Sequence, residues 1–291
     1  MRLSHNLASL NVYKEYSKVL NKQSTSLGRI SSGYKVSGAK DDPNALAQSE
    51  KMRMQIRGLQ MADNNIQDGI SMLQTAEGGM DNITSMLQRV RELAVQSGDG
   101  SATKDDKASI QNEIDQMLKG IDDIAKNTEF NGVKLLNDTS INDNSKPNVM
   151  KMCIGANTDE NISIPKYNFA FSDVNVNCLD GTVMNFSSID VSKPGGTDKA
   201  LSIVDGAINE VLKARSQYGA IENRFESEIT SVNEIGDRIQ GAESSIRDVD
   251  ISKEILEYSK DSLLSEAGTS IMAQTNKFPQ QVLSILENVR R

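Results

Sequence analysis

Two stretches near opposite ends of this 291-residue chain carry the same narrow apolar stripe, spaced alternately three and four residues apart. The first runs Leu59, Ala62, Ile66, Gly69, Leu73, Ala76, Met80, Ile83, Leu87, Val90, Ala94. Gly69 alone is not clearly apolar there, and Ile70 stands beside it. The second runs Val204, Ala207, Val211, Ala214, Tyr218, Ile221, Phe225, Glu228, Val232, Ile235, Ile239, Ala242, Ile246, Val249. Only Glu228 breaks that one, with Ile229 next to it. A stripe this narrow is the seam of a coiled coil, not the wider face of a helix packed on a globular core. From Leu59 to Ala94 it spans roughly 54 Å, too long to fold back within one helix. The two stretches therefore pair with each other or with an external partner, and the chain reads as an assembly protein.

Proline and glycine divide the rest. Prolines stand at 43, 147, 165, 194 and 279, leaving Asn44–Lys146 and Gly195–Phe278 without the strongest helix breaker. Pro43 follows Asp41 and Asp42, acids placed for the positive end of a helix dipole, so a first long helix is expected from about Asn44 to Ser97. The Ser97-Gly98-Asp99-Gly100-Ser101 run ends it. A second helix is expected over about Thr103–Asn127, with Ile110, Ile114, Met117, Ile121 and Ile124 on one side. Asn131-Gly132 marks a turn. In the segment after it, Ile162/Ile164 and Tyr167/Phe169/Phe171 alternate with polar or small residues, the period of a half-buried strand. The glycines in the first stripe, Gly58, Gly69 and Gly78-Gly79, leave two readings open: close approach of a neighbour, or slack in the rod.

The two ends are more polar. Leu3, Leu7, Leu10, Leu20 and Leu27 form a stripe interrupted by Ser17 and Ser24, and Leu256, Leu263, Ala267 and Ile271 form another. Isolated helices of this kind are marginal in water. Met1–Lys40 and Ile251–Arg291 are accordingly expected to be mobile in a lone monomer and to become helical against copies of themselves.

Several functions are excluded. A net charge of −8 opposes binding to a nucleic-acid backbone or an anionic membrane. No apolar run is long enough to span a membrane. Lys14, Glu15 and Lys18 interrupt the start, which does not read as a cleavable signal. One histidine, His5, and scattered carboxylates make neither a His-based metal site nor a catalytic triad, and no cofactor is expected. Cys153 and Cys178 can form a disulfide or remain two small unpaired side chains. Asn161-Ile162-Ser163 and Asn185-Phe186-Ser187 match a glycosylation pattern too common to carry weight.

The order of several short runs is more specific. These are Gln48-Ser49-Glu50-Lys51-Met52-Arg53, Asn65-Ile66-Gln67-Asp68-Gly69-Ile70-Ser71, Leu73-Gln74-Thr75-Ala76-Glu77-Gly78 and Leu87-Gln88-Arg89-Val90-Arg91-Glu92-Leu93-Ala94-Val95-Gln96. Phe130-Asn131-Gly132, Asn223-Arg224-Phe225, Ala242-Glu243-Ser244-Ser245-Ile246-Arg247-Asp248-Val249-Asp250 and Pro279-Gln280-Gln281-Val282-Leu283 complete them. Together they closely resemble bacterial flagellin, over about 1–136 and 196–291. The chain departs from the family at Pro43-Asn44-Ala45-Leu46, at Thr275 and in its last five residues, Glu287–Arg291.

The resemblance implies a mainly α fold: a long antiparallel coiled-coil helical hairpin from the two terminal segments, with a small β-hairpin-containing central insert. It implies terminal helices forming a filament core at 1–42 and 250–291, a rod at 43–136 and 196–249, and a variable insert at 137–195. Leu3, Leu7, Leu10, Leu263, Ala267, Ile271, Val282 and Leu283 are then the expected core-assembly residues. The implied role is an extracellular filament subunit for motility, a homopolymer exported unfolded through the flagellar type III channel. A cytoplasmic export chaperone and the hook-associated junction and cap proteins are further implied partners.

By spacing alone, Arg89 and Glu113 read as a solvated surface pair. In family members detected by the flagellin-sensing Toll-like receptor, the residues matching Arg89, Leu93 and Glu113 lie on the recognised face, so the resemblance implies that role here. The rival readings are a hook–filament junction protein, an insert-borne metalloprotease and an intracellular coiled-coil adaptor. The insert between Leu136 and Gly196 has no histidine for the second, and the third does not explain the order of the runs.

Overall fold

The computed structural model describes residues 6–141, 144, 147–170, 175–177 and 183–289. The chain forms two compact units, one of Met1–Met54 with Asp237–Arg291 and one of Gln55–Gly236. Five α-helices carry the fold: α1 (Leu7–Ser32), α2 (Pro43–Ser97), α3 (Lys104–Asn127), α4 (Gly196–Arg247) and α5 (Ile251–Val289). Helices α2 and α4 each begin in one unit and end in the other.

The helix starts follow from their caps. Asp42 Oδ1 accepts the Asn44 and Ala45 amides, each at 3.0 Å, so Pro43 opens α2 without an N–H to satisfy. Thr103 and Asp106 form a reciprocal capping box at the start of α3.

In the Gln55–Gly236 unit the first stripe is the core. Ile66, Met80, Ile83, Leu87, Val90 and Ala94 are fully buried, and so are Val204, Ala207, Val211, Ala214 and Phe225 from the second. The polar flanks fix the direction. Arg91 pairs with Asp205 at 2.8 Å, Asp81 with Arg215 at 3.0 Å, and Gln74 donates to Glu222 at 2.8 Å. Falling numbers on α2 meet rising numbers on α4, so the two helices run antiparallel within this unit. Helix α3 adds Ile114, Ile121 and Ala125 to the same core, with Ile110, Met117 and Ile124 half-buried.

Among the described residues there are three two-stranded antiparallel pairs: β1–β2 (Glu129–Phe130, Val133–Lys134) just before the insert, and β3–β4 (Asn148–Cys153, Asn161–Lys166) and β5–β6 (Asn175–Asn177, Val183–Asn185) within it. Asn131 and Gly132 both hold positive φ, 49° and 79°, as a two-residue turn of this hand requires. Ile162 and Ile164 point inward from β4. The alternation ends with β4 at Lys166: Tyr167, Asn168, Phe169 and Ala170 are all buried in succession, and Phe171 lies outside the described residues. Tyr218, on α4, donates from its hydroxyl to the Pro165 carbonyl at 2.9 Å and ties the hairpin down.

The glycines of α2 separate into two kinds. A Cβ on Gly58 would stand 2.8 Å from Ala156 Cβ, one on Gly69 2.6 Å from Met152 Sδ, and one on Gly79 2.8 Å from Leu136 Cδ1. These three let the insert and the segment after α3 sit directly on the helix backbone. Gly78 meets nothing within 4 Å.

Candidate self-assembly surface

The Met1–Met54 and Asp237–Arg291 unit is built the other way round. Helices α1 and α5 pack against each other, with Arg29 opposite Glu254, Tyr16 against Gly268 and Asn6 bonded to Thr275, an antiparallel order. The tails were expected to be mobile until copies of the chain meet; instead both are helical in the single chain, because each packs on the other. Their packing nevertheless buries little apolar surface. Among the described residues of this unit, Val36 is the one apolar side chain that is buried; the other buried side chains are Ser26, Ser49, Glu254 and Asp261.

The apolar residues face outward instead. Leu7 is 67% exposed, Leu10 49%, Leu263 68% and Ile271 49%, and Leu256, Phe278 and Ile285 are equally open. Ala267 is exposed and Val282 half-buried. Leu3 lies outside the described residues; Leu283 lies in α5, and its side chain is not among those described. The second stripe changes character in the same way. Its buried members end at Val232, with Ile221 and Glu228 half-buried; Ile235 is 48% exposed and Ala242 is open.

The two bends between helices are knotted together. The Arg247 carbonyl accepts the Lys35 amide at 2.7 Å, and Gly33 accepts the Val249 amide at 3.0 Å. The Arg247 guanidinium lies 4.9 Å from the centre of the Tyr34 ring and donates to Glu50 at 2.8 Å and to Ser49 at 3.2 Å. Gly33, at φ 75°, supplies the left-handed turn that ends α1. Nothing in the periodicity singled out Arg247; the signal was a cationic residue at a helix C-terminus just before an acidic break.

The residues expected at a receptor face stand in the other unit. Arg89 donates to Glu113 at 3.1 Å and to Glu92 at 3.0 Å. The bonds to Glu92 and then Glu113 push the Arg89 pKa up from its ordinary value. Leu93 differs from the expectation of a surface position. It is 1% exposed, because it faces the helix seam one turn below Arg89. The open part of this face is the Arg89–Glu113 pair, with Leu93 buried in the same helix.

Cys153 is an exposed free thiol, donating to Asn161 Oδ1 at 2.9 Å; Cys178 lies outside the described residues. No helix is long and apolar enough to cross a membrane among the described residues. Among the same residues no group of three or more His, Cys, Asp or Glu is placed to hold a metal ion.

A well-filled helical seam, joined in sequence to terminal helices that expose their apolar side chains, defines a self-associating structural subunit. Family models agree in detail: the bacterial flagellin N-terminal helical region matches residues 3–140 and the C-terminal helical region matches 201–286. The chain is 41% identical to a flagellin of Bacillus subtilis (strain 168), covering 98% of this chain and 100% of that one. It is 34% identical to the flagellin FlaB2 of Treponema pallidum (strain Nichols), again over 98% of this chain. The flagellar junction protein FlgL from Legionella pneumophila shares the fold, with a TM-score of 0.51 at 15% identity over 69% of this chain. The chain belongs to the bacterial flagellins. It is a structural subunit of the extracellular flagellar filament.

Proposed function

We propose that α1 and α5 are the polymerisation surface, and that the apolar residues they expose become buried between copies of this chain. The observation that carries this is the inverted burial of their unit, with Val36 its one buried apolar side chain among the described residues. Burying each exposed Leu or Ile is worth roughly 1.5–3 kcal/mol. Fixing each backbone residue costs about 1–2 kcal/mol. The tails therefore gain order most strongly when neighbouring copies share the burial. Head-to-tail contacts of this kind stay open and propagate as a helix.

In this reading the segments 1–42 and 250–291 line the filament core, 43–136 with 196–249 form the rod, and 137–195 is the small outer insert. Exposed Leu256, Leu263 and Phe278 on α5 are also what a cytoplasmic export chaperone would cover before the subunit passes unfolded through a type III channel. The junction and cap proteins at filament ends would meet the same helices. The solvent-facing Arg89–Glu113 pair supports a recognition face for the flagellin-sensing Toll-like receptor.

Electron microscopy of protein seeded with short filament fragments tests the assembly reading. Long filaments are expected from the full chain and none from a chain lacking residues 251–291. Filaments from the shortened chain would overturn it. For the receptor face, Arg89→Ala is expected to weaken binding of monomer to the receptor ectodomain, and unchanged affinity would remove Arg89 from it.

A further inference from the structure

Hairpin β3–β4 is seated on α2 at three places. Ala156 lies on Gly58, the Asn65 side-chain amide donates to the Cys153 carbonyl at 3.2 Å, and Met152 lies on Gly69. The third seat is the closest. The position a Gly69 Cβ would take is 2.6 Å from Met152 Sδ and 3.1 Å from its Cε, and 3.1 Å from Cε2 of the fully buried Phe225 on α4. The thioether thus occupies a notch left by a missing side chain, with an aromatic ring beside it, a contact that sulfur favours. Met152 is nevertheless only partly covered. Other methionines separate these two properties: Met54 and Met61 are 67% and 59% exposed, whereas Met72 and Met80 are buried. Met152 has both a seat in the packing and a path to solvent.

We propose that Met152 is a site of oxidative modification, and that its sulfoxide unseats β3–β4 from α2. The oxidant is of the peroxide class, which reaches an extracellular filament subunit from the medium. A sulfur lone pair attacks one oxygen of the peroxide, and an S–O bond forms as the O–O bond breaks. The sulfur loses two electrons; the departing hydroxide takes the proton left on the transferred oxygen and leaves as water. The product is bulkier and polar. At Gly69 it faces a helix whose backbone amides are already bonded within α2, with the Phe225 ring beside it. A polar oxygen held there lacks the donors that water supplies. The oxidised side chain therefore turns out to solvent and the notch opens. Met150 lies on the same face of β3, two residues back, and serves as the internal comparison.

The test treats the full chain, as monomer, with hydrogen peroxide in a Cys153→Ser, Cys178→Ser background that removes thiol oxidation. Peptide masses report the sulfoxide at each methionine, and amide exchange reports the hairpin. Met54 and Met61 should oxidise first, without effect on the hairpin. As Met152 sulfoxide appears, exchange across Asn148–Cys153 and Asn161–Lys166 should quicken about tenfold, while the seam of α2 and α4 keeps its protection. Met152→Leu keeps the size of the side chain and has no sulfur to oxidise; its hairpin should not respond to peroxide. Met150→Leu should respond as the parent does. The proposal is overturned if Met152 stays unoxidised when Met54 and Met61 are fully converted, or if hairpin exchange is unchanged at full Met152 sulfoxide. It is equally overturned if the response persists in Met152→Leu or is lost in Met150→Leu instead. The first two results are read in the parent chain, so they decide the matter even where Met152→Leu folds poorly.

Discussion

The Asn6 side chain donates to the Thr275 carbonyl at 2.9 Å, across a sequence separation of 269 residues. Helix geometry explains why that carbonyl is available. Residue 279 is a proline inside α5, so it has no N–H to offer the carbonyl four residues earlier. Asn6 fills the vacancy with one end of its amide, while its other end accepts the Ser9 amide and caps α1. One side chain thus starts the first helix and repairs the last.

Replacing Asn6 by Ala is expected to cost about 1–2 kcal/mol of local stability in the paired ends, from a lost cap and a lost bond. Pro279→Ala restores the ladder within α5, so Asn6→Ala should cost less in that background. Amide exchange of α1 and α5 in the two single variants and the double variant gives the coupling directly.

The split among the α2 glycines makes opposite expectations. Gly78 meets open space, so Gly78→Ala should stabilise the monomer by about 1 kcal/mol through helix propensity alone. At Gly58 the new methyl would meet Ala156 Cβ at 2.8 Å and its Cα at 3.2 Å, neither of them a flexible tip. Gly58→Ala should destabilise by about 1–3 kcal/mol. Thermal unfolding of the two monomers decides the matter.

Arg247 holds both bends at once, with its side chain 11% exposed. Arg247→Leu removes bonds to Ser49 and Glu50 and the ring contact with Tyr34. A loss of roughly 1.5–3 kcal/mol is expected, the range for hydrogen bonds to charged groups. Proteolysis should then appear first within 33–42 and 248–250; unchanged resistance there would remove the knot from the account.

Acid should loosen the start of α3. The Thr103 hydroxyl and then its amide hold the Asp106 pKa below its ordinary value. A carboxyl depressed in the folded state contributes stability that is present above its unfolded pKa and lost as pH falls through the folded one. Exchange protection over Lys104–Lys107 should therefore decline as pH drops below about 4. Asp106→Asn should show no such decline.

How much of this was legible varies by kind of interaction. The seam from Leu59 to Ala94 could be read residue by residue, because periodicity records which face is buried. It does not record who does the burying. Ile235 and Ala242 continue the pattern of Val204–Val232 without being covered within the chain. The burial of Leu93 was not legible, because residues four apart share a side of a helix without sharing its depth: Arg89 is half-exposed and Leu93 is buried. Asn6 and Arg247 were illegible for a different reason. Each bonds to a backbone carbonyl or side chain set by the folded path, and no spacing rule spans that separation.

The terminal helices have one consequence for the length of the polymer. In the proposed assembly each copy would cover the greasy faces of those before it and present its own uncovered, so no number of copies would complete the structure. A filament built that way would have no intrinsic stopping point. Its extent would be set by the supply of subunits and by breakage, and its last-added copy would always be the least protected from solvent.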